Sequence, residues 1–297
     1  MSRAMGVMLF VALVLSACAQ SPDTRSEPSP VSGEKAMEHV RAQVAFGPRP
    51  PGSPALQKCR EYIQKQLRGF GYQIEDDAFV AQTPYGPIPM HNLIARKGDA
   101  GKRVVVLATH YDTKLMENIT FVGANDAGSS TGLAMELARV LAERKDAVDY
   151  WFLFLDGEEA FIEWSTFDST YGSRHLARRW KSEGVVPRIR ALILLDMIGD
   201  KDLDLWYETN STPYLMDLAW KSAQRIGLQS ILGKMRGAIA DDHLPFLDVG
   251  IPSVDIIDLN YGPDNSYHHT VQDTLDKVRA QSMEKVGGLV LAMLPEL

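Results

Sequence analysis

The stretch that decides the fold is residues 104–112, VVVLATHYD, in which an apolar run ends in a histidine and an aspartate. Residues 151–159 (WFLFLDGEE) and 191–196 (ALILLD) repeat this design, because each apolar run again leads into acidic residues. Unbroken apolar runs of about five residues are typical of parallel strands buried on both faces of a sheet. Residues 251–257 (IPSVDII) form a fourth, less pure candidate strand.

The segment between the first two runs has a helical pattern. Its apolar residues recur at positions 133, 137, 140 and 141, which lie on one face of a helix. Ser129 or Ser130 is the expected N-cap, because a serine hydroxyl can accept a hydrogen bond from the first turn. Apolar stripes predict two earlier helices, around Val40 and around Cys59, and a closing helix that carries Leu275, Val278, Val286, Leu289 and Met293.

Strands and helices therefore alternate along the chain. Residues 72–82 and 91–96 are predicted as strands near a sheet edge, interrupted by Pro and Gly at residues 83–87. The alternation predicts an α/β fold with a single globular domain, in which a mixed, mostly parallel central β-sheet is flanked by helices on both faces.

The composition excludes several classes of protein. The chain has 297 residues, 45% of them hydrophobic, so it can bury the core of one large domain. Its net charge of −7 has the wrong sign for a protein that coats phosphate backbones, so no nucleic-acid partner is expected. Two cysteines cannot form a disulfide framework. Any catalysis must therefore depend on carboxylates, histidines or hydroxyls.

The first 33 residues predict an export signal and a tether. Arg3 precedes an apolar stretch at residues 5–15, which is typical of a secretory signal and too short to span a bilayer. Leu15-Ser16-Ala17-Cys18 resembles a bacterial lipobox, which implies cleavage before Cys18 and a lipid on its thiol. An ordinary cleaved signal that happens to contain a cysteine is the alternative.

We therefore predict a signal peptide at residues 1–17, a lipid-anchored disordered tether at 18–33 and one folded domain at 34–297. The tether is expected because residues 19–33 are rich in Ser, Pro and acidic residues and have little to bury. Such a protein would be exported, either as a lipoprotein on the periplasmic side of the bacterial envelope or in secreted form. It would meet the membrane only through its lipid.

Acidic residues and histidines follow each predicted strand, where ligands bind in an open α/β sheet. The candidates are His110, Asp112, Asp126, Asp156, Glu158, Glu159, Asp196, His268 and His269. So many acids at one edge would repel one another unless a cation neutralises them. Carboxylates and imidazoles without a thiolate favour a divalent ion such as zinc.

The adjacent pair Glu158-Glu159 is especially informative. Neighbouring side chains diverge, so one carboxylate can bind the metal while the other carries a proton. A Ser/His/Asp mechanism is disfavoured because no nucleophile elbow directly follows these strands. No phosphate loop or dinucleotide fingerprint is present either.

Together these motifs resemble the zinc-dependent aminopeptidase-like exopeptidases, whose pattern is a His-x-Asp, an Asp in a Gly-Ala-Asn-Asp loop, a Glu-Glu pair and a late His. Within that group, residues 156–177, DGEEAFIEWSTFDSTYGSRHLA, are similar to the zinc-type glutaminyl-peptide cyclotransferases. Asp241-Asp242-His243 and His269-Thr270 match two further motifs, and the likeness extends over residues 46–278.

The resemblance implies the site residues and the substrate. One Zn²⁺ would be held by Asp126, Glu159 and His269, and the substrate would be a peptide or protein with an N-terminal Gln. Catalysis would use Glu158 as the acid/base, with Asp196 and Asp241 as its carboxylate partners. Trp164 would form a wall of the substrate pocket. His268 stands where the animal enzymes have an aromatic residue. Tyr261 or Tyr267 could supply the missing aromatic wall instead. Tyr267 and His268 are expected to bind substrate.

Two alternatives stay open. The main alternative is a peptidase that uses two Zn²⁺ to release N-terminal residues. It is considered because the equivalents of His110 and Asp196 hold a second metal in the two-zinc aminopeptidases. A non-catalytic lipoprotein that binds peptide N-termini is the other, but such a protein would have no need of the free acid Glu158. The predicted tether favours a monomer.

Overall fold

The computed structural model describes residues 30–98 and 101–297. The helices are α1 (Gly33–Ala45), α2 (Pro54–Gly69), α3 (Gly128–Leu141), α4 (Tyr171–Ser182), α5 (Pro213–Arg225), α6 (His243–Asp248) and α7 (Ala280–Met293). The strands are β1 (Gln73–Thr83), β2 (Gly86–Arg96), β3 (Val104–His110), β4 (Asp149–Leu155), β5 (Ile189–Asp196), β6 (Leu205–Glu208), β7 (Leu232–Gly237) and β8 (Ser253–Ile257). None of the helices in these residues is long and apolar enough to span a bilayer.

The main sheet has six strands in the order β1-β2-β4-β3-β5-β8. The four strands from β4 to β8 in this order run parallel to one another, whereas β2 is antiparallel to β4 and to β1. A separate two-stranded sheet is formed by β6 and β7. The predicted fold class, a mixed and mostly parallel sheet in a single α/β domain, is therefore confirmed.

Helices cover both faces of the sheet, which explains the continuous apolar runs. On β3, Val105 and Leu107 belong to a core shared with α1, α2, α3, α5 and α7. Val104 and Val106 face the opposite core, which contains Trp180 of α4 and Phe246 of α6. Every residue of β3 is buried, because alternate side chains enter the two cores.

Two residues before position 34, Val31 and Ser32, already take part in the packing of the described residues. Val31 is only 2% exposed and packs closely against Gly287 of α7. Ser32 caps α1, because its Oγ accepts a hydrogen bond from the backbone N–H of Lys35. The rest of the predicted signal peptide and tether, residues 1–29, lies outside the described residues.

Three local predictions are wrong. Ser129 and Ser130 do not cap α3, whose N-cap is Ala127; both hydroxyls instead donate to carbonyl groups of the preceding loop. Leu275 and Val278 precede α7, since the chain breaks its helical run before Ala280. The interruption at residues 83–87 is only a tight turn, because β2 already begins at Gly86.

Candidate active site

The loops after four parallel strands bring the predicted side chains to one edge of the sheet. β3 ends at His110, β5 ends at Asp196, and β4 leads directly into Glu158-Glu159. Asp126 lies just before α3, and His269 lies in the long loop after β8. This is the carboxyl edge of the parallel strands, as the sequence predicted.

His269 joins two of the predicted metal ligands. Its Nε2 lies 3.2 Å from Oδ2 of Asp126 and 3.0 Å from Oε1 of Glu159. Ligand atoms of a tetrahedral Zn²⁺ bound at about 2.0–2.1 Å are about 3.3 Å apart, so each of these two distances is compatible with a shared ion. The ligand atoms that all lie within 4.8 Å of one another here are those of Asp126, His268 and His269. Nε2 of His268 is 3.9 Å from the same Asp126 oxygen, so His268 also stands beside this cluster.

His110 forms a second cluster that shares Asp126 with the first. Its Nε2 lies 3.3 Å from Oδ1 of Asp126 and 3.1 Å from Oδ1 of Asp196. All three residues are buried, and their ligand atoms lie within 4.8 Å of one another. The two oxygens of Asp126 thus face different histidines, which is the arrangement of a carboxylate that can bridge two metals.

The acidic and histidine side chains of this cluster stabilise one another's charged forms. Burial opposes ionisation of Asp126, but hydrogen bonds with His110 and His269 hold its pKa well below its usual range. Burial also opposes protonation of His269, but Glu159 and Asp126 outweigh it and raise the pKa of His269 to about 10. A metal ion would displace this proton, because only the neutral imidazole is a ligand.

Glu158 is buried beside Glu159, the predicted ligand. Burial, reinforced by Glu159 and Asp241 and opposed by His110, raises the pKa of Glu158 well above its usual value. The backbone N–H groups of Glu158 and Glu159 both donate to the Asp112 carboxylate, at 3.2 and 3.4 Å. Gly157 permits this sharp turn with a φ of +71°, and a side chain there would collide with Met90.

Asp241 and Asp196 lie in the same cavity as Glu158. Burial, reinforced by Asp196, raises the pKa of Asp241 well above its usual range. The neighbouring Asp242 is not part of the cavity wall; its Oδ1 accepts a hydrogen bond of 2.5 Å from Ser173 of α4. Of this acidic pair, Asp241 is the one that faces the site.

The cavity above the cluster has a volume of about 530 Å³. Its floor holds Asp126, Glu158, Glu159 and His269, and its apolar walls are formed by Trp164, Met197, Trp206, Ile239, Ile257 and Leu259. A polar floor beneath apolar walls suits a small substrate group whose reacting end is polar. His268 also lines this cavity, as predicted from its place beside His269.

Sequence reasoning missed Trp206 and Ile239. Trp206 lies on the short strand β6, and Ile239 follows β7, so both belong to the separate two-stranded sheet. Gly237 makes room for the indole, since a Cβ there would lie 3.1 Å from Trp206. The only signal in the sequence was a tryptophan in an irregular segment after β5, which carries no motif.

Tyr267, which was expected to bind substrate, is not among the residues that line this cavity. Its ring packs edge-on against Tyr261 and beneath the ammonium group of Lys277. Tyr261 is fully buried, and its hydroxyl donates to Asp273 at 2.8 Å. Neither tyrosine is among the residues that line the cavity, although both lie in the same loop as the histidines.

Two buried residues from opposite ends of the chain hold the Asp126 loop. The Asp273 carboxylate accepts hydrogen bonds from the backbone N–H groups of Asn125 and Asp126, at 2.7 and 3.1 Å. The Arg49 guanidinium, fully buried, donates to the carbonyl groups of Val122 and Gly123, at 2.8 and 3.1 Å. The ligand Asp126 is therefore fixed by residues outside the cluster itself.

Asp168 organises the loop that carries Trp164. Its carboxylate accepts hydrogen bonds from three backbone N–H groups, those of residues 161, 162 and 163, at 2.8–3.1 Å. The Tyr171 hydroxyl donates to Oδ1 of the same carboxylate at 2.8 Å. This network folds the loop back on itself and sets the direction in which Trp164 projects.

Residues 128–132, GSSTG, match the Gly-x-Ser-x-Gly pattern of serine hydrolases, but the structure assigns them a packing role. Ser130 is fully buried in the first turn of α3. Its Oγ accepts a hydrogen bond from Thr109 and donates to the Ala127 carbonyl. Both bonds point into the protein, so this serine is not an exposed nucleophile.

A mostly parallel sheet with a buried carboxylate and histidine cluster at its carboxyl edge defines an α/β protein of the metal-dependent exopeptidase type. The model of peptidase family M28 matches residues 92–294, and the chain belongs to this family.

Individual relatives narrow the class of enzyme further. The chain is 35% identical to a glutaminyl-peptide cyclotransferase of Drosophila melanogaster, over 85% of this chain and 79% of that protein. The crystal structure of an Acidobacteriales bacterium glutaminyl cyclase is similar with a TM-score of 0.87 and 41% identity, covering 94% of this chain and 98% of that one. A leucine aminopeptidase precursor from Bacteroides thetaiotaomicron is similar with a TM-score of 0.80 and 25% identity, covering 90% and 98%.

Proposed function

We propose that this protein is a glutaminyl-peptide cyclotransferase, which converts the N-terminal Gln of peptides or proteins to pyroglutamate and releases ammonia. The observation that carries the proposal is the buried, high-pKa Glu158 beside the His269 cluster, on the floor of a cavity walled by Trp164. The similarity to glutaminyl cyclases at 35–41% identity supports it.

In this proposal, Asp126, Glu159 and His269 hold one Zn²⁺. When bound, the ion would polarise the side-chain amide carbonyl of the substrate Gln. The donor set supports zinc, since it combines two carboxylates with an imidazole and contains no thiolate. Oε2 of Glu159 also lies 3.5 Å from the Lys114 ammonium, which helps to hold this carboxylate in place.

Glu158 moves the proton. The α-amine of the substrate attacks the amide carbon, a new C–N bond closes the five-membered lactam, and the bond to the amide nitrogen breaks. Glu158 accepts the proton that the attacking amine loses and returns it to the departing nitrogen, which leaves as ammonia. Its raised pKa suits this role, because a carboxylate that holds a proton more tightly than usual is a stronger base toward the attacking amine and can still release the proton to the departing nitrogen.

Asp196 and Asp241 orient this acid/base, and the cavity orients the substrate. Both carboxylates line the cavity with Glu158, and Asp241 has one oxygen without a hydrogen-bond partner among the described residues. Trp164 and His268 lie on the wall, where they can hold the Gln side chain against the floor. Because the attack is intramolecular, holding that chain folded and excluding water are the main demands on the site.

We further propose that the chain is exported and anchored by a lipid on Cys18, as the lipobox-like segment indicates. The N-terminal peptide of the mature protein should then begin at Cys18 and carry fatty-acyl mass. A Cys18→Ala variant should lose both that mass and partitioning into detergent, whereas an unlipidated wild-type N-terminus would contradict the anchor.

The activity is tested by incubating the protein, with its zinc content measured, with Gln-initiated and Leu-initiated peptides and analysing both by mass spectrometry. Cyclisation should lower the mass of the Gln peptide by about 17 Da, the mass of ammonia, and leave the Leu peptide intact. One zinc per chain is expected. Release of free residues from either peptide would contradict the proposal.

A two-zinc aminopeptidase is the second candidate, and the His110 cluster favours it. His110 and Asp196 stand at ligand spacing from Asp126, so a second ion could bind there. Such an enzyme would use Glu158 to activate a water molecule and would release free Leu. Two zincs per chain together with that release would decide in its favour.

A further inference from the structure

A second groove lies on the other side of the loop that carries Trp164. It has a volume of about 720 Å³ and separates the edge strand β1 from α4. Its walls include Phe79, Val80 and Gln82 of β1, Phe167 of the loop, and Arg174 and Arg178 of α4.

The groove has an excess of positive charge in a chain whose net charge is −7. Arg179, at its inner end, is paired with Glu75 and Asp77. Arg174 and Arg178, in contrast, form no ion pair with any carboxylate across residues 30–98 and 101–297. Arg174 donates to backbone carbonyl groups of the loop. Arg178 is an exposed residue whose Nε donates to the Arg174 carbonyl at 2.9 Å, which leaves its two terminal nitrogens without a hydrogen bond to the described residues.

Apolar side chains and an open strand edge adjoin these cations. Phe167 is 84% exposed, the highest value among the large hydrophobic side chains described, and Val80 is 61% exposed. β1 is the outermost strand of the sheet, so alternate backbone groups on its free side have no partner strand. These are the features that accept an extended peptide with acidic side chains.

The groove is within reach of a substrate that occupies the candidate active site. Trp164, on the cavity wall, and Phe167, on the groove wall, are three residues apart and hence at most about 11 Å. Arg174 and Arg178 are separated by one helical turn, about 6 Å. An extended peptide advances about 3.3 Å per residue, so its fourth or fifth residue would reach Phe167 and the next few would lie beside the arginines.

We infer that this groove is an extended substrate site. It selects peptides with acidic side chains at about positions 5 to 7, where the N-terminal Gln is position 1. The inference rests on the proposed function, because it places the Gln in the cavity beside Trp164. The Arg178 guanidinium would pair with the acidic side chains, Phe167 would cover the peptide backbone, and β1 would offer its free edge.

The test compares two decapeptides that begin with Gln and differ only at positions 5 and 7, which are Asp in one and Asn in the other. A Gln-initiated tripeptide, too short to reach the groove, is the third substrate. The variant is Arg178→Glu, because Arg178 makes no contact with the Trp164 loop. Arg190→Glu is the matched control: Arg190 is exposed at the opposite end of the molecule, near the start of β5, and undergoes the same change of charge.

We expect kcat/KM of the Asp decapeptide to exceed that of the Asn decapeptide about tenfold at low salt. Arg178→Glu should abolish or reverse this preference without changing turnover of the tripeptide, and Arg190→Glu should preserve it. Equal kcat/KM for the two decapeptides, or the same loss in both variants, would overturn the inference. If no peptide is cyclised, the proposed function fails instead. The groove can then still be tested by fluorescence anisotropy, which compares binding of the labelled Asp decapeptide to wild type and to Arg178→Glu.

Discussion

Glu158 is the residue on which the proposed chemistry depends most directly. Glu158→Gln keeps the size and hydrogen bonds of the side chain but removes its ability to carry a proton. We expect kcat to fall about 10²- to 10⁴-fold, the usual contribution of a general acid/base. Zinc content and thermal unfolding should be close to wild type, because Glu158 is not one of the proposed ligands.

Glu159→Gln provides the contrast for this experiment, since it makes the same replacement of a carboxylate oxygen by an amide nitrogen at the neighbouring residue. It should lower the zinc content together with the activity. If Glu158→Gln retained wild-type turnover, the proton would have to be carried by another group, and Asp241 would be the first to examine.

Trp206 allows the cavity walls to be tested one at a time. Trp206→Ala should raise KM for a Gln tripeptide about tenfold with little change in zinc content, because a buried aromatic face contributes about 1.5 kcal/mol or more and 1.4 kcal/mol corresponds to tenfold. Trp164→Ala should act in the same way from the other side. Trp220, which packs on Tyr207 away from the cavity, supplies the control variant. A KM that Trp206→Ala leaves unchanged would exclude the indole from substrate contact.

At the scale of single residues, the sequence predicted the polar floor of the site and one apolar wall residue, Trp164, but not the other apolar wall residues. Acids and histidines after strands are visible because the α/β topology brings strand ends together. Trp206 reaches the cavity only through the packing of β6 and β7, a small sheet that no periodic pattern announced. Tyr267 was chosen because it is next to His268, but chain proximity does not give side-chain direction.

Among the elements, the loop at residues 161–170 relies on the Asp168 carboxylate to bind the backbone N–H groups of residues 161–163. Three substitutions remove an increasing share of its network: Tyr171→Phe removes one hydrogen bond, Asp168→Asn weakens several, and Asp168→Ala removes them all. We expect KM to rise in that order, by several-fold at the end of the series, because Trp164 loses its fixed direction. Zinc content should stay constant. Equal KM values across the series would show that the loop is held by other contacts.

The elements themselves show where sequence patterns succeed. Three of the buried strands, β3, β4 and β5, were found because burial on both faces leaves no polar residue within the predicted run. The fourth, β8, is equally buried but contains Ser253 and Asp255, which made its run less pure. The N-cap of α3 was assigned wrongly because the residues before that helix form a ligand-bearing loop, and its two serines bind the carbonyl groups of that loop. Leu275 and Val278 fitted the helical period by chance, and no residue in the sequence marked the break before α7.

For the whole molecule, the concentration of buried acids makes stability depend on pH. Burial raises the pKa of Asp242, Asp258 and Asp273 to about 7. In the unfolded chain these groups titrate near 3.8, so the folded protein binds more protons between about pH 4 and 7, and its stability falls as the pH rises through that window. The lowered pKa of Asp126 acts in the opposite direction, but only in more acidic solution.

The chelated protein should therefore melt at least about 5 °C lower at pH 8 than at pH 5.5. Each unit of pKa difference between the folded and unfolded states corresponds to about 1.4 kcal/mol of unfolding free energy, and 1 kcal/mol shifts Tm by about 2–4 °C. Added zinc should raise Tm more at pH 8, where protons no longer compete for the ligands. Differential scanning fluorimetry with and without chelator measures both effects. Asp258→Asn, remote from the cluster, should flatten the pH dependence of the chelated protein, and a chelated protein that is more stable at pH 8 would refute this account.

The way in which the Asp126 loop is held has a consequence for the order of events during synthesis. Asn125 is bonded to Asp273, 148 positions later, and Arg49 closes the same loop from the beginning of the domain. A ribosome therefore releases nearly the whole chain before any of it can form a complete ion-binding centre. Until its last segment has emerged, the nascent polypeptide has the individual ligand residues without their final geometry. It would therefore leave the ribosome without a bound ion and bind that ion in the compartment where it completes folding.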